Sequence, residues 1–265
     1  MAQSAAPTAL PRSGAPTALA PKLLELCCGT KSISRAFEAR GWETVTVDID
    51  PKCEPDWCID VRQITPGERP FEDWVPGAFQ AVWCSPPCQH YSIARSKAKT
   101  PRDLETADAV AQACLRLIAQ LQPAAWFVEN PGTGMLAKRA FMLPGNVFSA
   151  RESEQPERLQ KPREITYCSY ATPPRYRKLT HIWTNLGPEW VPRPTCKKTK
   201  EADHRCSPCR RLGHHPASAQ KGPSYPNHMV LDQFCTRELH RMPPALCDEI
   251  ARAAEARLSN LESNP

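Results

Sequence analysis

The sequence predicts an α/β fold in which a parallel sheet carries helices on both faces. Short apolar runs alternate with helical patterns between residues 22 and 128, an alternation that is typical of such sheets. No apolar run reaches the length of a membrane span. A chain of 265 residues with 41% hydrophobic content suffices for one such domain and a small appendage.

The elements of this domain can be predicted in chain order. A buried strand over 23–28 ends at Gly29, a helix over 32–40 ends at Gly41, and strands follow over 44–48, up to Asp60, over 79–84 and over 125–128. Thr100 is predicted to cap the helix before the last of these strands, with Pro101 at its first position. Ligands of such sheets bind beyond the carboxyl ends of the strands, so the loops there are the candidate site.

Further segments flank or extend this core, and together they predict four parts. Residues 1–21 are a disordered tail, 22–185 the main domain, 186–228 a small basic Cys/His-rich segment, and 229–265 a C-terminal segment with a helix from Pro243 to Leu258. Within the main domain, strands are also predicted over 164–170 and 181–184, around a basic turn. The single Arg of the tail disfavours a transit peptide.

The cysteine content bounds the class of protein. Thirteen Cys, several of them inside apolar runs and with no signal peptide before them, disfavour a secreted disulfide scaffold. They indicate reduced residues of an intracellular protein, in the nucleus of a eukaryote or in the cytoplasm or host cell of a prokaryote or virus. The net charge of +6 suits a polyanionic partner. We expect a monomer that does not bind membranes.

Two loops at strand ends carry complementary chemistry. Residues 84–89 read Cys-Ser-Pro-Pro-Cys-Gln after one strand, and Glu129-Asn130 follow another. A thiolate that adds to carbon 6 of cytosine makes carbon 5 nucleophilic, and Cys88 is the candidate for it. A carboxyl group must handle the proton on ring nitrogen 3, and Glu129 is the candidate. The pair predicts methylation of cytosine at carbon 5.

Each of these residues also has a plainer interpretation. Cys88 alone is compatible with a small buried residue in a Pro turn, and Glu129 alone with an ordinary acid at a strand end. Their joint occurrence in this strand order favours catalysis. The related motif Ser-Pro-Pro-Tyr is used by enzymes that methylate exocyclic amines, but here Cys88 stands in the aromatic position. Cys84 lies in the apolar run and is predicted to be core.

Basic residues of the turn at 173–178 are expected to complete the base site. Arg175 or Arg177 would bind the carbonyl oxygen of the base or the adjacent phosphate. The target cytosine must leave the duplex stack to reach Cys88. The sequence therefore predicts that double-stranded DNA binds with a flipped cytosine.

The first strand and its loop predict a nucleotide-type cofactor. Gly29 stands at a strand–turn–helix junction, and Asp48, about twenty residues on, stands where a ribose would be hydrogen-bonded. Asp60 would accept from an adenine amine, with ordinary capping as the alternative for both acids. The second and third glycines of the dinucleotide fingerprint are absent, which favours S-adenosylmethionine.

The basic segment has the spacing of a zinc site. Cys206 and Cys209 stand as in a zinc knuckle, and Cys196 with a nearby His would complete four ligands. His204, His214 and His215 are the choices, and we take His214 as the fourth ligand. Interleaved Lys and Arg would contact phosphate. The alternative is a flexible basic loop with free thiols.

Together these motifs resemble the DNA cytosine-5 methyltransferase family over 22–185 and, more weakly, over 225–260. Residues 25–30 are similar to its cofactor loop, 87–89 to its nucleophile loop, 129–130 to its Glu-Asn motif, 175–177 to its basic motif and 243–246 to the start of its final helix. The resemblance implies that S-adenosylmethionine contacts Glu25, Cys28, Gly29, Asp48, Ile49, Asp60, Ser85 and Pro87. The loop has Lys31 and Ser32 where the family is richer in Gly.

The sequence thus predicts a Rossmann-like methyltransferase sheet with a small irregular basic recognition lobe. The predicted activity is transfer of a methyl group from S-adenosylmethionine to carbon 5 of cytosine in DNA, through a covalent adduct with Cys88. One alternative is methylation of RNA, because phosphate contacts look alike in the two nucleic acids. Another is a catalytically silent relative that binds nucleic acid.

Overall fold

A seven-stranded sheet organises the computed structural model, which describes residues 19–93, 95, 98–148, 157–170, 176–196, 206 and 240–263. The strands are β1 (Lys22–Leu26), β2 (Glu43–Asp48), β3 (Trp57–Cys58), β4 (Ala81–Cys84), β5 (Ala125–Pro131), β6 (Val147–Phe148), β7 (Glu157–Arg158), β8 (Arg163–Thr166) and β9 (Leu179–Thr184). The large sheet has the order β3-β2-β1-β4-β5-β9-β8, and β6 pairs with β7 in a separate ribbon.

Helices cover both faces of the sheet, which confirms the predicted fold class. They are α1 (Ser32–Glu38), α2 (Leu104–Leu121) and α3 (Pro244–Ser263). The strands predicted over 22–128 are parallel, as expected, whereas β9, for which no direction was predicted, runs antiparallel to both β5 and β8. The connection from β8 to β9 holds a 3-10 turn at Tyr167–Ser169 and, in its described part, no helix that could cross over to a parallel position.

The buried residues form two layers, one on each face of the sheet. Along β4, Val82 and Cys84 point toward α2, whereas Ala81 and Trp83 point toward α1 and α3. Such alternation follows from the two-residue period of a strand. Cys84 has no exposed surface, so its prediction as a core residue is confirmed.

The start of α2 differs from its prediction. The helix begins at Leu104, and its cap is Asp103, whose carboxylate accepts a hydrogen bond from the Thr106 amide at 2.9 Å. Thr100 is not the cap, because its carbonyl and hydroxyl oxygens accept hydrogen bonds from the Arg95 guanidinium. A carboxylate is at least as good a cap as a threonine hydroxyl, and here it is the one that reaches the free amides.

Two further boundaries affect the site. β5 extends through Glu129 and Asn130 to Pro131, so both motif residues lie inside a hydrogen-bonded strand rather than in a loop after it. β8 ends at Thr166, four residues earlier than predicted for the strand over 164–170, and a 3-10 turn follows. Among the described residues, no helix has both the length and the hydrophobicity required to cross a membrane.

Candidate active site

The loop after β4 and the end of β5 are fastened together by a buried amide. The Asn130 side chain donates a hydrogen bond from Nδ2 to the carbonyl oxygen of Pro86 at 2.9 Å. Asn130 is almost fully buried, as is Pro86. The two sequence motifs therefore meet at the carboxyl edge of the sheet, where ligands of such folds bind.

Glu129 is a buried carboxyl group with one cation nearby. Its side chain belongs to a residue that is 8% exposed, and the Lys178 ammonium nitrogen lies 3.9 Å from Oε1. Burial raises the pKa of Glu129, while Lys178 and the Tyr167 hydroxyl act in the opposite direction. No described residue donates a hydrogen bond to Oε1. A buried acceptor left without a donor is costly, so a polar ligand group at this place would be stabilised.

The Cys88 thiol lies in the same electrostatic neighbourhood. The residue is half-buried, and burial together with the nearby Glu129 carboxylate raises its pKa. The Lys178 ammonium lowers this pKa in part. Cys88 and Glu129 thus lie close enough to interact electrostatically, as expected from the motifs. Lys178 is a cation whose charge lowers the pKa of both groups.

Lys178 was not among the predicted site residues. Of the two predicted arginines, Arg175 lies outside the described residues, and Arg177 is exposed and donates from Nε to the Cys196 carbonyl at 2.8 Å. Lys178 occupies the place beside Glu129 instead. Because β9 runs antiparallel to β5, residues that precede β9 lie near the carboxyl end of β5. The only sequence signal was the basic turn before this strand.

A network of partly buried side chains around the buried Tyr91 holds the loop that follows Cys88. The Tyr91 hydroxyl donates to Asp108 Oδ1 of α2 at 2.9 Å, and Arg139 holds the same carboxylate through Nε at 2.9 and 3.0 Å. Arg102 donates to the carbonyl oxygens of residues 90 and 92. Sequence reasoning missed this network, because its members are distant along the chain and belong to no motif.

The loop after β1, which was predicted to bind a cofactor, lies at the carboxyl edge of the same sheet. The Gly29 amide donates to Asp48 Oδ2 at 2.9 Å, and the Asp50 amide donates to Asp48 Oδ1 at 2.9 Å. Asp48 therefore stands where the sequence places the ribose acid, between two backbone turns. Ile49, directly after it, is 64% exposed and offers an apolar surface next to this carboxylate.

Glu25 and Cys28 support this loop from below. Glu25 is buried and accepts hydrogen bonds from the amide of Ser34, at 2.9 Å, and from its hydroxyl. Burial raises the pKa of Glu25 to about 7. Cys28 is buried as well, its amide donates to the Val47 carbonyl at 3.0 Å, and burial raises the pKa of its thiol. Both side chains are buried, and their hydrogen bonds shape the loop; contact with a cofactor stays a prediction for both residues.

The other residues predicted to contact the cofactor differ in their hydrogen-bond partners and in their exposure. Asp60 is engaged by Arg62, whose guanidinium lies 2.5 Å from Oδ2 and whose amide donates to Oδ1 at 2.9 Å. This hydrogen bonding lowers the pKa of Asp60 and favours its capping interpretation. Ser85 accepts from Trp83 Nε1 at 2.7 Å through its hydroxyl oxygen, whereas Pro87 is exposed.

Lys31 takes the conformation that a glycine would take in this loop. Its φ is +52°, in the left-handed region, as are those of Cys27 at +54° and Gly29 at +49°. For non-glycine residues this region costs about 1 kcal/mol or more. The Lys31 ammonium donates to the Glu54 carbonyl, which ties the loop to the segment after β2. The departure from a Gly-rich loop is thus accommodated by strain and one long-range contact.

Two of the four predicted zinc ligands lie together. The sulfur atoms of Cys196 and Cys206 and that of Cys168, which the sequence prediction did not include, all lie within 4.8 Å of one another. Cys209 and His214 lie outside the described residues.

The sequence of the chain is similar to that of a viral relative. No family model matches the chain. The chain is 29% identical over 247 residues to the probable DNA (cytosine-5)-methyltransferase of Frog virus 3 (isolate Goorha), a match that covers 86% of this chain and 98% of that relative. The family resemblance predicted from the motifs is confirmed.

Two solved methyltransferases are similar to part of the chain. One is a candidate DNA modification methyltransferase encoded within an E. coli prophage, with a TM-score of 0.44 and 16% identity over 62% of this chain and 46% of that one. The other is a variant of Spodoptera frugiperda DNMT2, with a TM-score of 0.40 and 16% identity over 66% of this chain and 54% of that one. The chain spans about half the length of these two proteins.

Proposed function

We propose that this chain transfers a methyl group from S-adenosylmethionine to carbon 5 of a cytosine in DNA. The observation that carries the proposal is the convergence of Cys88, Glu129 and Lys178 at the carboxyl edge of the sheet. The similarity to a relative named for this activity, over nearly all of that relative, supports it.

The first step would be addition of the Cys88 sulfur to the ring. The thiol gives its proton to solvent, and the Lys178 ammonium offsets the charge of the thiolate. The sulfur then forms a bond to carbon 6, and electron density moves to ring nitrogen 3. Glu129 keeps its proton to higher pH than an ordinary Glu, so it can donate that proton to nitrogen 3.

Methyl transfer and release would complete the cycle. When bound, S-adenosylmethionine supplies a methyl group to the nucleophilic carbon 5. Carbon 5 then loses its proton to solvent, the carbon 5–carbon 6 double bond re-forms, and the bond from carbon 6 to the Cys88 sulfur breaks. The Cys88 thiolate takes a proton back from solvent and Glu129 recovers its proton from nitrogen 3, so both side chains return to their starting states.

The loop after β1 suits the proposed cofactor. Asp48 accepts one hydrogen bond at each oxygen from the backbone, and each oxygen keeps capacity for a second donor such as a ribose hydroxyl. The exposed apolar Ile49 beside it suits one face of an adenine ring. Gly29 and Asp48 together would orient the ribose, while Asp60 would contribute through Arg62 or its own carboxylate.

DNA is the proposed substrate, because the viral relative that the chain matches over nearly its whole length is named for action on DNA. A target base must be rotated out of the duplex, since the half-buried Cys88 cannot reach carbon 6 within a base stack. The alternatives are methylation of RNA and binding of nucleic acid without catalysis, and the experiment distinguishes both of them from methylation of DNA.

Covalent trapping on duplex DNA that contains 5-fluorocytosine tests the proposal. The fluorine cannot leave as a proton does, so a working enzyme remains attached through Cys88. We expect a cofactor-dependent adduct with the wild type, none with Cys88→Ser, and an undiminished one with Cys247→Ser, which removes a buried thiol of α3. An adduct on RNA alone would overturn the choice of substrate, and cofactor binding with no adduct on either would indicate the silent relative.

A further inference from the structure

Three cysteine thiols lie together at the end of β8, which is an edge strand of the large sheet. Cys168 lies in the 3-10 turn after β8, Cys196 follows β9, and Cys206 belongs to the basic segment. Their sulfur atoms all lie within 4.8 Å of one another. Cys168 is 1% exposed and Cys196 is 3% exposed. This cluster plays no part in the proposed methyl transfer.

The sulfurs lie close enough together to share one metal ion. Zinc binds thiolates at about 2.3 Å in a tetrahedron, which places neighbouring sulfurs about 3.8 Å apart. Three thiolates packed this closely repel one another, so they require a compensating cation between them. A disulfide would join only two of the three sulfurs and leave the third buried beside it.

Hydrogen bonds around the cluster have the pattern expected around metal-bound thiolates. The Cys206 amide donates to the Cys196 sulfur at 3.3 Å, an interaction that stabilises negative charge on sulfur. The Cys196 amide in turn donates to the Thr166 hydroxyl oxygen at 2.9 Å, and Arg177 donates to the Cys196 carbonyl at 2.8 Å. The ligands are thus oriented by contacts that leave the sulfurs facing one another.

We propose that Cys168, Cys196 and Cys206 bind one zinc ion, which fastens the basic segment to the end of β8. Cys168 was not among the ligands predicted from the sequence, and the folded chain brings it to Cys196 from 28 positions away. The segment has little apolar sequence of its own, so a metal would supply the folding energy that a core cannot.

The site would also affect the catalytic residues. Arg177 bonds to the Cys196 carbonyl, and its neighbour Lys178 lies beside Glu129. Loss of the metal would loosen the turn that carries Lys178. The ion would therefore stabilise the fold of the basic segment. Because Arg177 precedes Lys178 directly in the chain, the ion would also help to position the Lys178 ammonium beside Glu129.

Metal analysis of the full chain tests the proposal. The protein is purified in reducing buffer without a histidine tag, and its metal content is measured by mass spectrometry. We expect about one zinc per chain in the wild type and at least a roughly tenfold lower content in Cys168→Ser. Cys247→Ser is the matched control, because it removes a thiol that is also 1% exposed, and it should keep the wild-type content.

A second measurement on the wild type covers the case in which Cys168→Ser does not fold. Cobalt(II) exchanged into the wild type should give the intense absorption of tetrahedral thiolate coordination. A wild type that holds no zinc after incubation with zinc and dialysis, or a folded Cys168→Ser variant with full content, would overturn the proposal. No DNA or cofactor is involved, so this result stands apart from the adduct assay.

Discussion

The Asn130 side chain donates to the Pro86 carbonyl at 2.9 Å, and this hydrogen bond joins the strand that carries Glu129 to the loop that carries Cys88. The two groups proposed to react come from different strands, so their separation depends on how the ends of these strands are held together. In the proposed reaction, Asn130 would therefore be a positioning residue for the thiol and the carboxyl group.

Asn130→Ala should slow methyl transfer while leaving DNA affinity nearly unchanged. Small misplacement of reacting groups costs about a hundredfold in rate, and a buried carbonyl left unpaired costs about 1–3 kcal/mol of stability. Single-turnover kinetics and urea unfolding measure the two effects. The matched control is Asn185→Ala, which removes hydrogen bonds to the backbone of Trp126 and Ala124 at the other end of β5. Equal slowing in both variants would show that lost stability, not positioning, causes the effect.

Lys178→Met should move the pH dependence of the reaction upward. Lys178 lowers the pKa of both Cys88 and Glu129, so its loss raises both. The thiolate of Cys88 then forms at higher pH, and the rate at neutral pH falls about tenfold if the thiol pKa rises by about one. The rate should recover at alkaline pH, and Lys178→Arg should restore part of it.

The pH profile of single-turnover rates separates this role from a structural one. Lys22→Met serves as the control, since it also removes a lysine that pairs with a carboxylate, that of Glu43 at 3.2 Å, but at the amino ends of β1 and β2. A Lys178→Met profile that is lower at every pH but not displaced would contradict an electrostatic role.

Tyr91→Phe should loosen the loop after Cys88. The variant removes the hydrogen bond to Asp108 and leaves that carboxylate to Arg139, at a cost of about 1 kcal/mol. We expect a lower rate of adduct formation at saturating DNA. Tyr170→Phe is the control, because it also removes a buried hydroxyl that donates to a carboxylate, that of Glu249, but on the α3 side. Similar rates of adduct formation in the two variants would argue against a role of the Tyr91–Asp108 hydrogen bond in holding the Cys88 loop.

Glu25→Gln should stabilise the folded chain at alkaline pH. Folded Glu25 holds its proton up to a pKa of about 7, against an ordinary value of 4.5. Protonation therefore favours the folded state below about pH 4, and this contribution is lost as pH rises through 7, by up to about 3 kcal/mol. Urea unfolding without cofactor at pH 5 and pH 8 measures it. Glu68→Gln, at an exposed carboxyl group, is the control and should change the free energy of unfolding equally at the two pH values. An effect of Glu25→Gln that is the same at pH 5 and pH 8 would contradict a raised pKa of Glu25.

The sequence predicted those features that depend on neighbours in the chain. Strand and helix periodicity predicted the α/β class, and the local motifs around Cys88 and Glu129 predicted which loops would meet. The direction of strands and the contacts between residues that are distant in sequence could not be predicted in the same way. The pattern of β9 indicates a strand but not its antiparallel pairing, and nothing near Lys178 or Cys168 shows that each will reach a distant partner. Local competition also misled: Arg95 takes the polar groups of Thr100, so Asp103 caps α2.

The placement of Glu129 inside β5 has a consequence for motion. Its backbone belongs to an interior strand paired on both sides, so its amide should exchange with solvent only when the whole domain unfolds. The Cys88 loop, by contrast, belongs to no strand and is held by side chains and by the hydrogen bond from the Met135 amide to the Tyr91 carbonyl, so we expect it to open while the sheet stays intact. In the proposed reaction, a base would then enter through a small opening at the Cys88 thiol, while the Glu129 carboxyl group keeps its position.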